Sequence, residues 1–514
     1  MNLRDQKVLV MGLGVHGGGL GVARWLLSQG AKVTVTDSAE PEALAASVAA
    51  LNAAAEELDS HVDYVLGEHR AEDFTTSDLV VANAAVRPDS PWLAQAADAG
   101  VPIETEMTLF FRACPGPILG VTGTKGKTTT ALLLAAMLRR RHPATLVAGN
   151  LQVSALEALP KLNAKTPVVL ELSSFQLERL GAAGLSPHYS LVTNFSSDHV
   201  NWHGSLDAYA AAKRQIYWHQ PKDGILALNG ADDGSVEHML LYEGMQRHGG
   251  RAIWVCAGPH WSRARTRFLQ PVVRSVDTSV ERRGDTIIWR DVSGYCGSAT
   301  PLAGEPLFSV GDLRIPGAHN LANAMFAAAL ARAFGALPAD IRVALRTFTG
   351  VEHRLELVRE FDGVSYVNDT TATNPAAALA ALETLHTPIV LIAGGADKEL
   401  EFGPLGAAIA RRVKALVLLE GSATSRMVAA VQASADRADC PLLSGPHTNF
   451  AEALAAARGL AEEGDTVLLS PGCASFGMFK NEFHRGEEFR HLVGALDNEQ
   501  RQRSGQHSSP KAAQ

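Results

Sequence analysis

Cysteine is scarce and scattered in this chain: Cys114, Cys256, Cys296, Cys440 and Cys473 are odd in number, far apart and without a CxxC pair. That argues against a disulfide framework or a zinc cluster and fits a reducing cytoplasm. Long apolar runs are missing too, none approaching the roughly 18 to 20 residues that cross a bilayer. The opening MNLRDQKVLVMGLG carries charge pairs and a glycine turn instead of a cleavage site, so neither a signal peptide nor a membrane anchor is expected. Nor is there a basic excess: 46 Lys and Arg stand against 54 Asp and Glu, a net charge of −8. A general nucleic-acid binder held by a basic surface is thus not expected, while local basic sites for small phosphates stay open. No internal repeat of short period is present.

What the chain does have is length and rhythm. Its 514 residues, 46% of them hydrophobic, exceed one ordinary domain and predict two to four. Apolar β-branched runs (KVLVMG, KVTVTD, DLVVAN, PILGVTG, PVVLEL, YSLVTN, GILALN) alternate with Ala/Leu-rich helical stretches. Such alternation predicts parallel sheets covered by helices. Composition shifts near Arg112–Pro117 and Thr347–Gly350 suggest boundaries, after which VSYVND, PIVLIAGG, ALVLLEG and DTVLLSPG restart the pattern. Between about Arg251 and Arg314 the runs shorten among Gly, Ser and Arg, which reads as an antiparallel excursion. Residues 498–514 are Gln/Ser-rich and aperiodic, the pattern of a disordered tail.

Two glycine loops carry chemistry. The first, Gly12-Leu13-Gly14-Val15-His16-Gly17, follows a predicted strand, and Asp37 ends the next strand, 20 residues beyond Gly17. This GxGxxG pattern, taken alone, favours an NAD-dependent oxidoreductase. Its physical content is broader, because any nucleotide diphosphate can lie against glycines at a helix N-terminus. The second, Gly123-Thr124-Lys125-Gly126-Lys127-Thr128, joins strand PILGVT to a helical run beginning with Thr129. Small residues let backbone N–H groups turn inward, Lys127 reaches β and γ phosphates, and the Thr128 hydroxyl suits Mg2+; ATP binding is expected. The strict Walker spacing would put glycine at Val121; Gly120 and Gly123 bracket it instead.

Strand TPVVLEL brings Glu171 to its C-terminal end, and YSLVTN delivers Asp198-His199 just past its own. In an open α/β sheet those ends surround the ligand crevice, where a carboxylate and an imidazole can hold a second Mg2+. Lys213 follows within the helical stretch LDAYAAAKRQIY; by itself it reads as a solvated surface charge.

These residues in this order, over about residues 5–495, resemble the Mur ligases, ATP-dependent amino-acid ligases of peptidoglycan synthesis. GVTGTKGKTTT resembles the family's ATP loop, and Glu171-Leu172-Ser173-Ser174-Phe175-Gln176-Leu177-Glu178 its glutamate-adding branch. The resemblance implies an α/β fold of three domains: a Rossmann-like N-terminal domain for the UDP substrate (1–114), a P-loop ATPase central domain (115–347) and a Rossmann-like C-terminal domain for glutamate (348–497). It makes Thr128, Glu171, His199 and a carbamylated Lys213 the Mg2+ ligands, two ions being expected. Asn320, Arg354 and Asp369 join the ATP loop. Val15, His16, Asp37, Ser38, Asn150 and Ser173 become contacts to the UDP substrate. Thr373, Lys398, Ser475 and Phe483 become contacts to glutamate. The implied reaction joins D-glutamate to UDP-N-acetylmuramoyl-L-alanine through an acyl phosphate, in the cytoplasm, by a monomer without nucleic-acid or membrane partners.

The chain departs from the family pattern in places. Thr370-Thr371-Ala372-Thr373-Asn374 stands where Ser-Lys-Ala-Thr-Asn is common, losing a cation near the amino-acid site. Asn83-Ala84-Ala85 replaces Ser-Pro-Gly, and Phe483 lies one place late. These departures leave L-glutamate open as the alternative amino acid, and the nearest rivals within the class are another Mur ligase and a folylpolyglutamate synthase. The absence of an Asp-Asn-Pro-Arg motif weighs against the diaminopimelate-adding enzyme, and the N-terminal nucleotide-type domain against the folate enzyme. With the family in view, the hydride-transfer reading of the first loop falls sharply. No Ser/His/Asp or Cys/His arrangement is evident, in keeping with a ligase that needs no side-chain nucleophile.

Overall fold

The computed structural model describes residues 2–14, 18–150, 154–239, 251–258, 278–291, 304–397, 400–434 and 441–496. Val15, His16, Lys398 and the segment 498–514 lie outside these residues. The chain divides into two compact units after Phe348.

The first unit holds two sheets. In the first sheet, β1 (Lys7–Met11), β2 (Lys32–Asp37), β3 (Val62–Leu66), β4 (Leu79–Ala82) and β5 (Ile103–Glu104) are all parallel, in the order β3-β2-β1-β4-β5. The order reverses between β1 and β4, which opens a crevice beyond their C-terminal ends. Strand β4 is buried at every position, as expected of a central strand covered on both faces.

Among the described residues the second sheet has nine strands: β6 (Ile118–Thr122), β7 (Leu146–Gly149), β8 (Val168–Glu171), β9 (Tyr189–Val192), β10 (Ile225–Asn229), β11 (Arg251–Cys256), β12 (Thr278–Arg283), β13 (Thr286–Asp291) and β14 (Glu305–Ser309). Their order is β14-β13-β12-β11-β10-β9-β6-β8-β7, with β6 between β8 and β9. The Arg251–Arg314 excursion is mixed rather than simply antiparallel. Strands β10, β11 and β12 run parallel, and β12-β13-β14 form an antiparallel meander. The physical reason lies in connection length: β13 follows β12 through a two-residue turn, whereas the long stretches before β11 and β12 leave room for the crossover that parallel pairing demands.

Two helices fix the middle of this sheet. Lys127–Arg139 leaves the end of β6, and Ala318–Phe334 packs along it with Asn323 to Ala331 all buried. The alanines of the second helix let the two backbones approach closely and place Asn323 at the phosphate loop.

The second unit carries β15 (Glu356–Phe361), β16 (Val364–Asn368), β17 (Ile389–Ala393), β18 (Val413–Leu419), β19 (Leu442–His447) and β20 (Thr466–Leu469), in the order β15-β16-β20-β17-β18-β19. Among the described strands only β15 is antiparallel to its neighbour. Because β16, β20 and β17 adjoin, the segments beginning at Asp369, Ser470 and Gly394 emerge side by side.

Candidate active site

The phosphate loop leaves β6 at the centre of the nine-stranded sheet. Gly126 sits at φ +80°, and a Cβ there would stand 2.4 Å from Asn323 Oδ1, so both backbone and space require glycine. Asn323 Oδ1 also accepts from Thr130 Oγ1 at 3.3 Å. From the other side, Asn194 accepts from the Lys125 N–H at 2.9 Å and its amide donates back to the Lys125 carbonyl at 2.9 Å. Asn194 thus braces the loop itself, while Asn323 bonds the first turns of the helix that follows and stands close over Gly126. Lys127 Nζ donates to the carbonyls of Gly123 at 3.1 Å and Thr124 at 3.0 Å, and Thr129 is buried behind it.

Three strand ends meet at this loop. Thr128 Oγ1 donates to Glu171 Oε2 at 2.7 Å, and Asn150 Nδ2 donates to Glu171 Oε1 at 3.2 Å. Lys213, which reads as a surface charge in isolation, is 1% exposed. Its ammonium donates to the Gly123 carbonyl at 2.8 Å and lies 4.8 Å from the centre of the Tyr209 ring. Burial, and then repulsion from Lys127, hold its pKa well below that of an ordinary lysine, against the opposing pull of Asp198 and Glu171. His199 adopts φ +50° beside Asp198, and its half-exposed ring stacks edge-on against Phe175 at 5.1 Å. Among the described residues, no three His, Cys, Asp or Glu side chains converge as a ready-made metal cluster.

At the N-terminal sheet the reversal between β1 and β4 opens onto a cavity of about 770 Å³. Asn83, from the end of β4, donates to the Gly12 carbonyl at 3.2 Å. Asp37 accepts from the N–H groups of Gly14 at 3.0 Å and Ala39 at 2.9 Å, so it ties the glycine loop in place. Asp37, Ser38 and Gly149 line the cavity; Asn150, next along, turns to Glu171 instead. Ser173 caps the helix Ser174–Ala182 in a reciprocal pair with Gln176, which gives the Glu-Leu-Ser-Ser-Phe-Gln run a local structural role.

In the second unit Asp369 is 5% exposed, and both its oxygens are engaged within the unit, by the Leu355 N–H at 3.1 Å and the Ser470 hydroxyl at 2.7 Å. Burial pushes its pKa up to about 7 although Ser470, Leu355 and Arg354 all oppose the shift. Arg354 is exposed, Thr373 half-buried and Ser475 buried. Phe483 stands edge-on to His353 at 5.8 Å. Asn320 donates to the Pro316 carbonyl at 2.7 Å and accepts from the Asn323 amide at 3.4 Å.

Three residues in these sites escape sequence reasoning. Asn323 belongs to the same motif as Asn320, but its place three residues on, and thus nearly one helical turn away, is what brings it to Gly126. Asn194 ends a predicted strand, and only its position beside the loop distinguishes it from an ordinary turn residue. Arg485, fully buried, donates to Thr370 Oγ1 and to the Thr370 carbonyl, both at 2.9 Å, and supports the segment that carries Thr371 and Thr373.

Comparison with known proteins bears on this geometry. The MurD-like N-terminal domain of Mur ligases matches residues 6–105, the Mur ligase middle domain 121–257, and the Mur ligase glutamate ligase domain 353–473. A UDP-N-acetylmuramoylalanine–D-glutamate ligase of Roseiflexus sp. is 50% identical over 493 residues, spanning 96% of this chain and 99% of its own. The chain belongs to the Mur ligase family. A second relative of the same name, from Symbiobacterium thermophilum, is 35% identical over 96% of this chain and 98% of its own.

Solved structures agree on the fold of this Mur ligase. The UDP-N-acetylmuramate-alanine ligase MurC of Thermotoga maritima superposes with a TM-score of 0.57 at 20% identity, over 96% of this chain and all of that one. A pseudomurein peptide ligase type C from Methanothermus fervidus gives 0.53 at 16% identity, over 96% and 100%. Membership makes this protein an ATP-dependent ligase and displaces the NAD-dependent oxidoreductase, since the first glycine loop falls inside the MurD-like match. Among the described residues, no helix is long and apolar enough to cross a membrane.

Proposed function

We propose that this Mur ligase adds D-glutamate to UDP-N-acetylmuramoyl-L-alanine with ATP, as a cytoplasmic monomer. The observation that carries the reading is the meeting of the phosphate loop, Glu171 and buried Lys213 at one sheet edge, next to the cavity of the N-terminal sheet. The relatives that match nearly end to end bear the name of this reaction. We assign residues 1–114 to the UDP substrate, 115–347 to ATP and 348–497 to glutamate.

The alanine carboxylate attacks the γ-phosphorus of ATP, and ADP leaves. The glutamate amine then attacks the acyl phosphate, forms the amide, loses its proton and releases phosphate. Lys127 exchanges its bonds to the loop carbonyls for phosphate oxygens, and the loop N–H groups orient the triphosphate. Asn150 and Thr128 fix the Glu171 carboxylate from either side, so it needs no reorganisation when substrate arrives.

The oxygen donors fit Mg2+: a hydroxyl and a carboxylate from Thr128 and Glu171 suit a hard cation, the His199 imidazole would be a softer addition, and an ammonium at Lys213 does not suit one. Lys213 fits once carbamylated. Its buried amine, shifted toward the neutral form, adds through Nζ to the carbon of CO2 and releases one proton, leaving an anionic oxygen donor. When bound there, the ion neutralises charge on the transferring phosphoryl group. Phosphate release with UDP-N-acetylmuramoyl-L-alanine tests the reading, comparing D-glutamate, L-glutamate and no amino acid. Release that depends on D-glutamate is expected; no release with either enantiomer would refute the assignment.

A further inference from the structure

The cavity beyond β1 and β4 is poorly charged for a sugar nucleotide. Among its described lining residues, the carboxylates Asp37, Asp89 and Glu106 face a single guanidinium, that of Arg87. Two of the acids are committed elsewhere. Asp37 holds the Gly14 and Ala39 N–H groups, and Glu106 accepts from Ser154 Oγ at 2.7 Å and the Ala155 N–H at 2.9 Å. The Gly14 N–H, which a diphosphate would otherwise use, is therefore already taken.

Arg87 differs from these residues in being poised to change partners. Its guanidinium makes a two-point contact with Asp89, at 2.9 and 3.1 Å, on side chains that are 50% and 69% exposed. An ion pair so exposed contributes little net stability. A diphosphate offers the same planar fork several acceptor oxygens and more charge than one carboxylate, so exchange is favourable. The other side of the guanidinium is fixed: it lies 5.1 Å over the ring of Trp202, which packs at 4.6 Å on Phe175. That stack holds the group at the rim without using its N–H donors. The backbone beside it is anchored as well, since the Val86 carbonyl accepts from Arg179 at 3.1 Å.

We infer that Arg87 is a binding residue for the diphosphate of the sugar-nucleotide substrate, with Asp89 as its resting counter-ion and Trp202 as its platform. This rests on the reading of the cavity as the UDP site. The two are separated by titrating the full-length protein calorimetrically with UDP and with uridine, the phosphate loop being filled with a non-hydrolysable ATP analogue. Wild type should bind UDP more tightly than uridine. Arg87→Ala should shrink the UDP-to-uridine affinity ratio by about ten- to hundredfold, the worth of a charge-assisted hydrogen-bond pair, while uridine affinity holds. Arg87→Lys, which keeps the charge but loses the fork, should fall between. If Arg87→Ala does not fold, as judged by its affinity for the ATP analogue, Arg87→Gln gives the same comparison. An unchanged ratio in a folded variant overturns the role of Arg87 alone. Failure of wild type to bind UDP overturns the cavity assignment and this inference with it.

Discussion

The Thr128 hydroxyl donates to the Glu171 carboxylate across 2.7 Å, joining the first turn of the phosphate-loop helix to the end of the neighbouring strand β8. A hydroxyl so placed orients the carboxylate. Glu171→Gln is expected to lower kcat by about two orders of magnitude, the usual cost of losing a preorganised charge at phosphoryl transfer, and to raise the Mg2+ concentration for half-maximal rate. Thr128→Ser should keep most activity and Thr128→Ala should not. Steady-state rates across an Mg2+ series test both, and an unchanged Mg2+ dependence in Glu171→Gln would count against its role as ligand.

Lys213 gives a second prediction. Burial beneath Gly123 and the proximity of Lys127 favour the neutral amine, the form that reacts with CO2. Depleting bicarbonate from the buffer should lower the wild-type rate severalfold, and adding it back should restore it. Lys213→Ala should be nearly inactive and insensitive to bicarbonate. Full activity of that variant in ordinary buffer would show that no carbamate is needed.

The contact between Gly126 and Asn323 predicts an asymmetric rescue. Gly126→Ala places a methyl group 2.4 Å from Asn323 Oδ1 on a backbone at φ +80°, so ATP affinity should fall at least tenfold. Combining it with Asn323→Ala removes the clash but not the strained dihedral, and should recover only part of the loss. Complete recovery in the double variant would mean that the clash alone dictates glycine here. Nucleotide titration of the four proteins measures the coupling.

Asp369 predicts a pH dependence of stability. Its carboxyl titrates near pH 7 in the folded chain, well above the ordinary value of 3.8, because it is buried. Below about pH 4 both folded and unfolded chains carry the proton. Between about 4 and 7 the unfolded chain releases it while the folded chain retains it, so stability falls with rising pH and levels off above 7. Asp369→Asn removes this term. Relative to wild type the variant should gain stability from pH 5 to pH 8, by up to a few kcal/mol. Denaturant midpoints at the two pH values measure the change; a constant difference would contradict the shift.

Much of the architecture was legible because each central strand is a short apolar run closed by a loop with recognisable chemistry. Glycine loops after β1 and β6, and Glu171 at the end of β8, could be placed on their strands from spacing alone. Burial of Lys213 could not: its helix carries alanines on several faces, and only the Mur ligase resemblance separated it from a surface lysine. Partner residues were the least legible. Asn194 lies 69 positions from Lys125 and Asn323 lies 193 from Thr130, and no local pattern encodes such distances. The same holds for β11 and β12, whose parallel pairing depends on connections rather than on their own short sequences.

The reach of Asn323 has a consequence for how this protein is made. A chain emerging from the ribosome would display all of Gly123–Thr128 and the strands β6 to β11 before the helix Ala318–Phe334 exists. Until that helix docks, Thr130 lacks the carboxamide that accepts its hydroxyl, and the loop is braced from the Asn194 side alone. Nucleotide arriving before that point would meet a loop with one of its two supports missing. The stabilisation that bound ATP gives is therefore expected to be greatest once synthesis has passed the helix Ala318–Phe334.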